Sequence, residues 1–160
     1  MAPPDPPGTP TAVDQAQLID ALVRTSFVVT AVLSKIAAER DLSLTQLRVL
    51  AILRDRRGAM SELAAYLGLD KSTISGLVDR AEKRGLVQRM PNPSDGRGVD
   101  VALTADGMAL ADLGAAEVAL ALSPLTSTVT RSEARRLTVL LERMLASQPS
   151  FPQEQAGLVL

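Results

Sequence analysis

The chain has 160 residues, 17 basic and 18 acidic side chains and a formal net charge of −1, a length that suits one domain of the common ~100–200-residue size. Its 46% apolar content is enough for a core and excludes wholesale disorder. The absence of Cys and His excludes disulfide scaffolds, thiol sensors, Cys nucleophiles, imidazole bases and the usual soft metal sites.

Charge is unevenly placed. Residues 40–97 carry 11 Arg and Lys against 7 acids, a net +4, and the rest of the chain carries 6 basic and 11 acidic residues, a net −5. A basic middle inside acidic flanks suggests an anion-facing surface, although a solvated charged face is the commoner cause of such clustering. Phe27, Tyr66 and Phe151 are the only aromatic residues, too few for a platform that stacks single-stranded bases. No nucleophile–base pair, phosphate-binding glycine loop or catalytic carboxylate pair is recognisable. No catalytic residue, metal or cofactor is therefore expected, and an enzyme is the least favoured class.

Residues 1–10 hold five prolines and read as a flexible or polyproline arm. No uninterrupted apolar run approaches the ~20 residues that span a bilayer, and no signal-peptide pattern opens the chain. The expectation is a cytoplasmic protein without a membrane partner. Thr11 followed by Asp14 is an N-cap signature. Apolar positions 18, 19, 22, 23, 29, 33 and 36 then predict one long helix across 12–38, uninterrupted by Gly or Pro. So long a helix usually packs beyond its own domain. A second helix opens at Leu44-Thr45 and ends near Gly58, its expected C-cap. Ala59-Met60 is too short for an independent strand but suits pairing with one.

Ser61 is the expected cap of a short helix over 61–67, and Gly68-Leu69-Asp70 reads as a tight turn. A further helix runs from 71 or 72 to 84. Two helices about a glycine-containing turn form the helix-turn-helix pattern, which by spacing alone is equally any two-helix corner. At 100° per residue, Ile74, Leu77, Val78 and Ala81 form one apolar stripe. The other face presents Ser72, Ser75, Gly76, Asp79 and Lys83, flanked by Thr73 and Arg80. Short hydroxyls and a glycine permit approach to base edges, and cations reach phosphates, as a major-groove helix requires. Asp79 is expected to pair with Lys83 one turn on.

Beyond Gly85 the period changes. Residues 86–90 and 99–103 have strand character around the turn-rich segment 91–98. Alternation should put Val99, Val101 and Leu103 on one face of the second strand. The pair forms a wing, with Arg97 placed to extend towards a minor groove and Asp95 to brace the loop. Residues 105–122 read as helix, with Gly107 and Gly114 as interruptions and Pro124 as its kink or end. Thr130-Arg131-Ser132-Glu133 fits a capping box before a last helix to about 147, and 148–160 form a tail.

Asp95-Gly96-Arg97-Gly98-Val99-Asp100-Val101-Ala102-Leu103-Thr104 fits the wing pattern D-x-R-x5-L-T, and Ser72 to Arg80 with Glu82-Lys83-Arg84-Gly85-Leu86-Val87 fits the helix before it. On these motifs the chain resembles the MarR family of bacterial winged helix-turn-helix regulators. The resemblance spans roughly 14–147. It implies a mainly α fold with a small β-hairpin wing, in which lobe 44–104 carries the winged helix-turn-helix. Segments 11–38 and 105–147 would be its helical dimerisation region. It implies a homodimer on pseudo-palindromic double-stranded DNA, a nucleoid-associated repressor released by a small aromatic or lipophilic ligand. Ser61, Lys71, Ser72, Thr73, Ser75, Gly76, Arg80, Lys83, Arg84 and Arg97 are its candidate DNA contacts. The ligand crevice would lie among the first, second and fifth helices, with Ser26, Thr30 and Arg48 as polar candidates beside Val23, Phe27, Leu33 and Leu47. An ordinary helix-surface or core-edge residue is the commoner reading of each. Gly76 departs from the long polar residue that many members carry there. A winged helix that binds protein or ligand without DNA is the alternative.

Overall fold

The structure is a computed structural model that describes residues 11–92 and 98–146. Its elements, in order, are α1 (Ala12–Ala38), α2 (Leu44–Arg54), β1 (Gly58–Ala59), α3 (Met60–Leu67), α4 (Lys71–Lys83), β2 (Val87–Pro91), β3 (Val99–Leu103), α5 (Ala105–Thr126) and α6 (Arg131–Ala146). The fold is mainly helical, as the sequence predicts. Caps set most boundaries. Thr11 accepts from the Asp14 N–H and Ser43 from the Gln46 N–H, each in a reciprocal box. Glu133 accepts from the Thr130 N–H at 2.8 Å, so the box before α6 forms as expected.

β2 and β3 pair antiparallel from Val87↔Leu103 to Pro91↔Val99, and β1 adds to the other edge of β3 through Gly58↔Val101 and Ala59↔Asp100. Gly58 is thus a buried strand residue and not the C-cap of α2, which falls on Asp55. A Cβ at Gly58 would lie 3.6 Å from Leu63. Leu50, Leu53, Leu63, Ile74, Val78, Val87 and Val101 form the centre of the core, each at most 2% exposed. Burying each such side chain contributes roughly 1.5–3 kcal/mol.

Three expectations are corrected. The alternation along β3 breaks at its start, where Val99 is exposed and Asp100 is 5% exposed. Asp100 turns inward because Asn92 donates to its Oδ1 at 2.7 Å and Arg57 approaches its Oδ2 at 3.8 Å. Pro124 does not end α5, which runs on to Thr126. The bond it forfeits is to the Leu120 carbonyl, on a stretch where Leu120 is 76% exposed and water can reach. Finally, α1 and α5 are long and apolar enough, by length and composition, to cross a membrane. Sparse charges within α1, only Arg24 and Lys35 over 21–38, hide this from a search for uninterrupted apolar runs.

Burial is concentrated in the middle of the chain. α6 buries no residue, and α1 buries only Ile36 and Ala37. Ile19, Phe27, Leu120 and Val139 are all more than 60% exposed.

Candidate nucleic-acid interface

The α3–α4 corner is built by two residues. Gly68 ends α3 at φ 63, a left-handed conformation that glycine adopts freely, and its N–H reaches the Ala64 and Ala65 carbonyls. Asp70 then caps α4, accepting from the Thr73 N–H at 2.8 Å, from Thr73 Oγ1 at 2.6 Å and from Ser72 Oγ. The Ser72 hydroxyl, then the Thr73 hydroxyl and N–H, hold the Asp70 carboxyl well below the usual carboxylate range. An ionised Asp only accepts, so both hydroxyls spend their single proton on it. Towards solvent Ser72 and Thr73 therefore present acceptors, which suit base amino groups and not phosphate oxygens. An Asp directly before an amphipathic run is an N-cap signal that could have identified this role. At α3 the expected cap also shifts. Ala59 holds the N-cap position, Glu62 accepts from its N–H, and Ser61 lies exposed in the first turn.

α4 is split as its sequence predicts. Ile74, Leu77, Val78 and Ala81 are buried, and Lys71, Ser72, Thr73, Arg80 and Lys83 are exposed, with Ser75 and Gly76 half-buried. A Cβ on Gly76 would lie 3.5 Å from the Arg80 Nη1. The Arg80 guanidinium thus lies beside the glycine, with room left for a methyl group at ordinary contact distance. Lys71, Arg80 and Lys83 make no ion pair among the described residues.

Two charged residues take roles not foreseen. Asp79 pairs with Arg89 of β2 at 2.5 Å and not with Lys83. Arg89 also binds Glu82, so it ties the hairpin to α4 from two points, and the Asp79 bond above all raises its pKa further. Arg84, the exposed C-cap of α4, reaches the α1–α2 corner. Its Nη1 donates to the Asp41 carbonyl at 2.6 Å and its Nη2 to that of Arg40 at 3.1 Å. The Asp95 and Arg97 expectations fall outside the described residues. At the base of the hairpin, the Asn92 N–H donates to the Gly98 carbonyl at 3.1 Å and its side chain to Asp100.

A cavity of about 280 Å³ opens between α1, α2 and α5. Of the residues expected there, Leu33, Leu47 and Arg48 line it, joined by Arg54 and Tyr66. Ser26, Thr30, Val23 and Phe27 do not. Ser26 turns back to the Val23 carbonyl at 2.7 Å, and all four are exposed. Arg54 and Tyr66 come from positions separated by 12 residues, which no local spacing connects. The lining is otherwise aliphatic and contains no acid.

A helix-turn-helix whose second helix is followed by an antiparallel hairpin defines a winged-helix protein. The model of the MarR family matches residues 42–99. Multiple antibiotic resistance protein MarR of Salmonella typhimurium is 34% identical over 108 residues, 66% of this chain and 74% of that protein. HTH-type transcriptional regulator PecS of Dickeya dadantii is 35% identical over 103 residues, 61% of each chain. The transcriptional repressor NicR of Pseudomonas putida is 36% identical over 104 residues, 64% of this chain and 66% of NicR. The match thus spans less than two thirds of PecS and NicR. Among solved structures, a mutant of Escherichia coli MarR complexed with operator DNA has a TM-score of 0.64 and 27% identity, covering 85% of this chain and 99% of that one. CouR of Rhodococcus jostii bound to p-coumaroyl-CoA has a TM-score of 0.66 and 27% identity, covering 82% and 90%. The chain belongs to the MarR family of transcriptional regulators, and its class is accordingly that of a regulator and not an enzyme.

Proposed function

We propose that the chain is a homodimeric repressor that binds pseudo-palindromic duplex DNA through α4 and the hairpin. The observation that carries this reading is the two-sided α4, apolar where it meets the core and small, hydroxylic and cationic where it meets solvent. Lys71, Arg80 and Lys83 would reach phosphates, Ser72, Thr73 and Ser75 base edges, and Arg97 a flanking minor groove. Ser61 would approach the backbone from α3. We leave Arg84 out of the interface because its guanidinium is spent on the α1–α2 corner.

A second copy is the partner that covers the apolar faces of α1, α5 and α6, making 11–38 and 105–147 the dimerisation region and 44–104 the reading lobe. The same faces could serve a bilayer, but a family of DNA-reading regulators favours protein. The α1–α2–α5 cavity is the ligand crevice. Its aliphatic walls and the two guanidiniums of Arg48 and Arg54 suit a small aromatic or lipophilic acid. CouR holds p-coumaroyl-CoA and MarR binds operator DNA, which supports both halves of the proposal.

Gel retardation of the duplex upstream of the chain's own coding sequence tests this reading. Binding should weaken steeply with salt. Arg97→Ala and Lys71→Ala should each weaken it and lower the slope of log affinity against log salt by about one. Full affinity in both variants would remove the site assignment. No retardation even in dilute buffer would remove the function.

A further inference from the structure

The corner between α1 and α2 is held from two directions by arginines. Asp41 turns the chain at φ 54, left-handed for a residue other than glycine, and the Leu42 N–H reaches back to the Ala37 carbonyl at 2.9 Å. The last carbonyls of α1 have no partner further along their helix. Arg84, immediately after α4, takes the Asp41 and Arg40 carbonyls with its two terminal nitrogens. The Arg40 side chain points the other way. Its Nε donates to Glu117 Oε2 at 3.1 Å and its Nη2 to Glu117 Oε1, a bidentate pair with α5. The two side chains are only 23% and 33% exposed.

Glu117 adjoins Val118 and lies within one turn of Gly114 and Ala115, three residues that line the crevice. The opposite wall, α2, begins at Leu44, just past the corner. A planar guanidinium bonded twice to a carboxylate fixes both separation and orientation. The same holds for the fork of Arg84 on two successive carbonyls.

We propose that Arg84, Arg40 and Glu117 form a polar relay that fixes the C-terminal end of α4 against α5, so that the distance between α5 and the α1–α2 corner sets the attitude of α4. Arg84 is then a positioning residue. Glu117 is the point at which a molecule wedged into the crevice is felt. The mechanical part of this relay stands on the two arginine forks alone. Its link to DNA and ligand rests on the function proposed above.

Backbone amide exchange in the full chain, in Glu117→Gln, in Arg84→Ala and in the double variant, tests the mechanical part. Glu117→Gln should speed exchange across 79–86 by about 3- to 10-fold, although Glu117 pairs with Arg40 and not with α4. Arg84→Ala should do as much, and the double variant no more, because both cut one chain of contacts. Exchange that changes in α5 and α1 while 79–86 stays protected would overturn the relay. Gel retardation across a salt series, with the upstream duplex as probe, tests the link to DNA. Glu117→Gln removes a negative charge, and electrostatics alone would tighten binding. The relay requires binding weakened by about 3- to 10-fold, with the salt slope unchanged in both single variants. A slope lowered by about one in Arg84→Ala would make Arg84 a phosphate contact and overturn its assignment. Unchanged or tighter binding by Glu117→Gln would overturn the relay. If the unaltered chain retards no duplex, the DNA-reading function falls, and the exchange result alone decides the relay.

Discussion

Gly107 is the third residue of α5, and a Cβ placed there would lie 1.8 Å from the Leu86 carbonyl oxygen and 2.8 Å from its carbon. Both are backbone atoms and cannot rotate away. Reaching ordinary contact at about 3.4 Å requires α5 to withdraw by about 1.5 Å. That movement parts the Thr104 N–H from the Leu86 carbonyl, now 3.1 Å away, and Thr104 Oγ1 from the Gly85 carbonyl, now 2.6 Å away. Two such bonds contribute about 0.5–1.5 kcal/mol each. Overpacking adds about 1–3 kcal/mol. Alanine returns about 1 kcal/mol in helix propensity. Gly107→Ala should therefore destabilise by about 1–5 kcal/mol, a large part of a typical domain's margin. Urea titration at fixed protein concentration measures it, with an unchanged m-value marking a stability effect. Gly76→Ala is the matched control. Its Cβ meets only the Arg80 guanidinium at 3.5 Å, so it should be neutral or stabilising by up to about 1 kcal/mol. A Gly107→Ala midpoint within about 0.5 kcal/mol of the parent would refute the account of this contact.

Three further outcomes follow from the geometry. The Asp70 carboxyl is held below its unfolded value by Ser72 and Thr73. Its contribution is thus present above about pH 4 and is lost as pH falls towards the folded pKa. Asp70→Asn should flatten the acid limb of denaturation midpoint against pH, and an unchanged limb would exclude the cap as its source. Leu140→Glu places a charge on the apolar face of α6, and sedimentation at micromolar concentration should show half the parent mass if that face joins two copies. Arg48→Ala should lower retention of an aromatic acid such as p-coumarate in equilibrium dialysis without weakening duplex binding in the acid's absence. Equal loss of both would place Arg48 in the fold and not in the crevice.

Local chemistry made much of the fold legible. Thr11 and Thr130 announce their helices because a cap acts over three residues, and the stripe of Ile74, Leu77, Val78 and Ala81 has a single period. What escaped the sequence was contact between distant segments. Gly107 reads as an interruption of a helix because nothing near it in the chain shows that the Leu86 carbonyl lies against it. Arg84 reads as a cation on a DNA-facing helix because the carbonyls it binds lie 43 and 44 positions away. Asp79 reads as a partner of Lys83 one turn along its own helix, whereas the cation it meets arrives on β2. A cavity lies among the three helices, and of the expected polar members Arg48 lines it while Ser26 and Thr30 do not. Ser26 and Thr30 share the long α1 with Val29 and Leu33, and only the rotation of that helix against α2 and α5 decides which of them face inward.

The lack of any buried residue on α6 bears on how the regulator responds to its own abundance. A 16-residue helix without tertiary support is marginal in water. In the homodimer proposed above that support would come from the second chain, and the amount of completed protein would rise with the square of chain number when copies are scarce. A modest fall in synthesis would then empty an operator more sharply than a monomer's loss could, and expression level itself becomes a steep control.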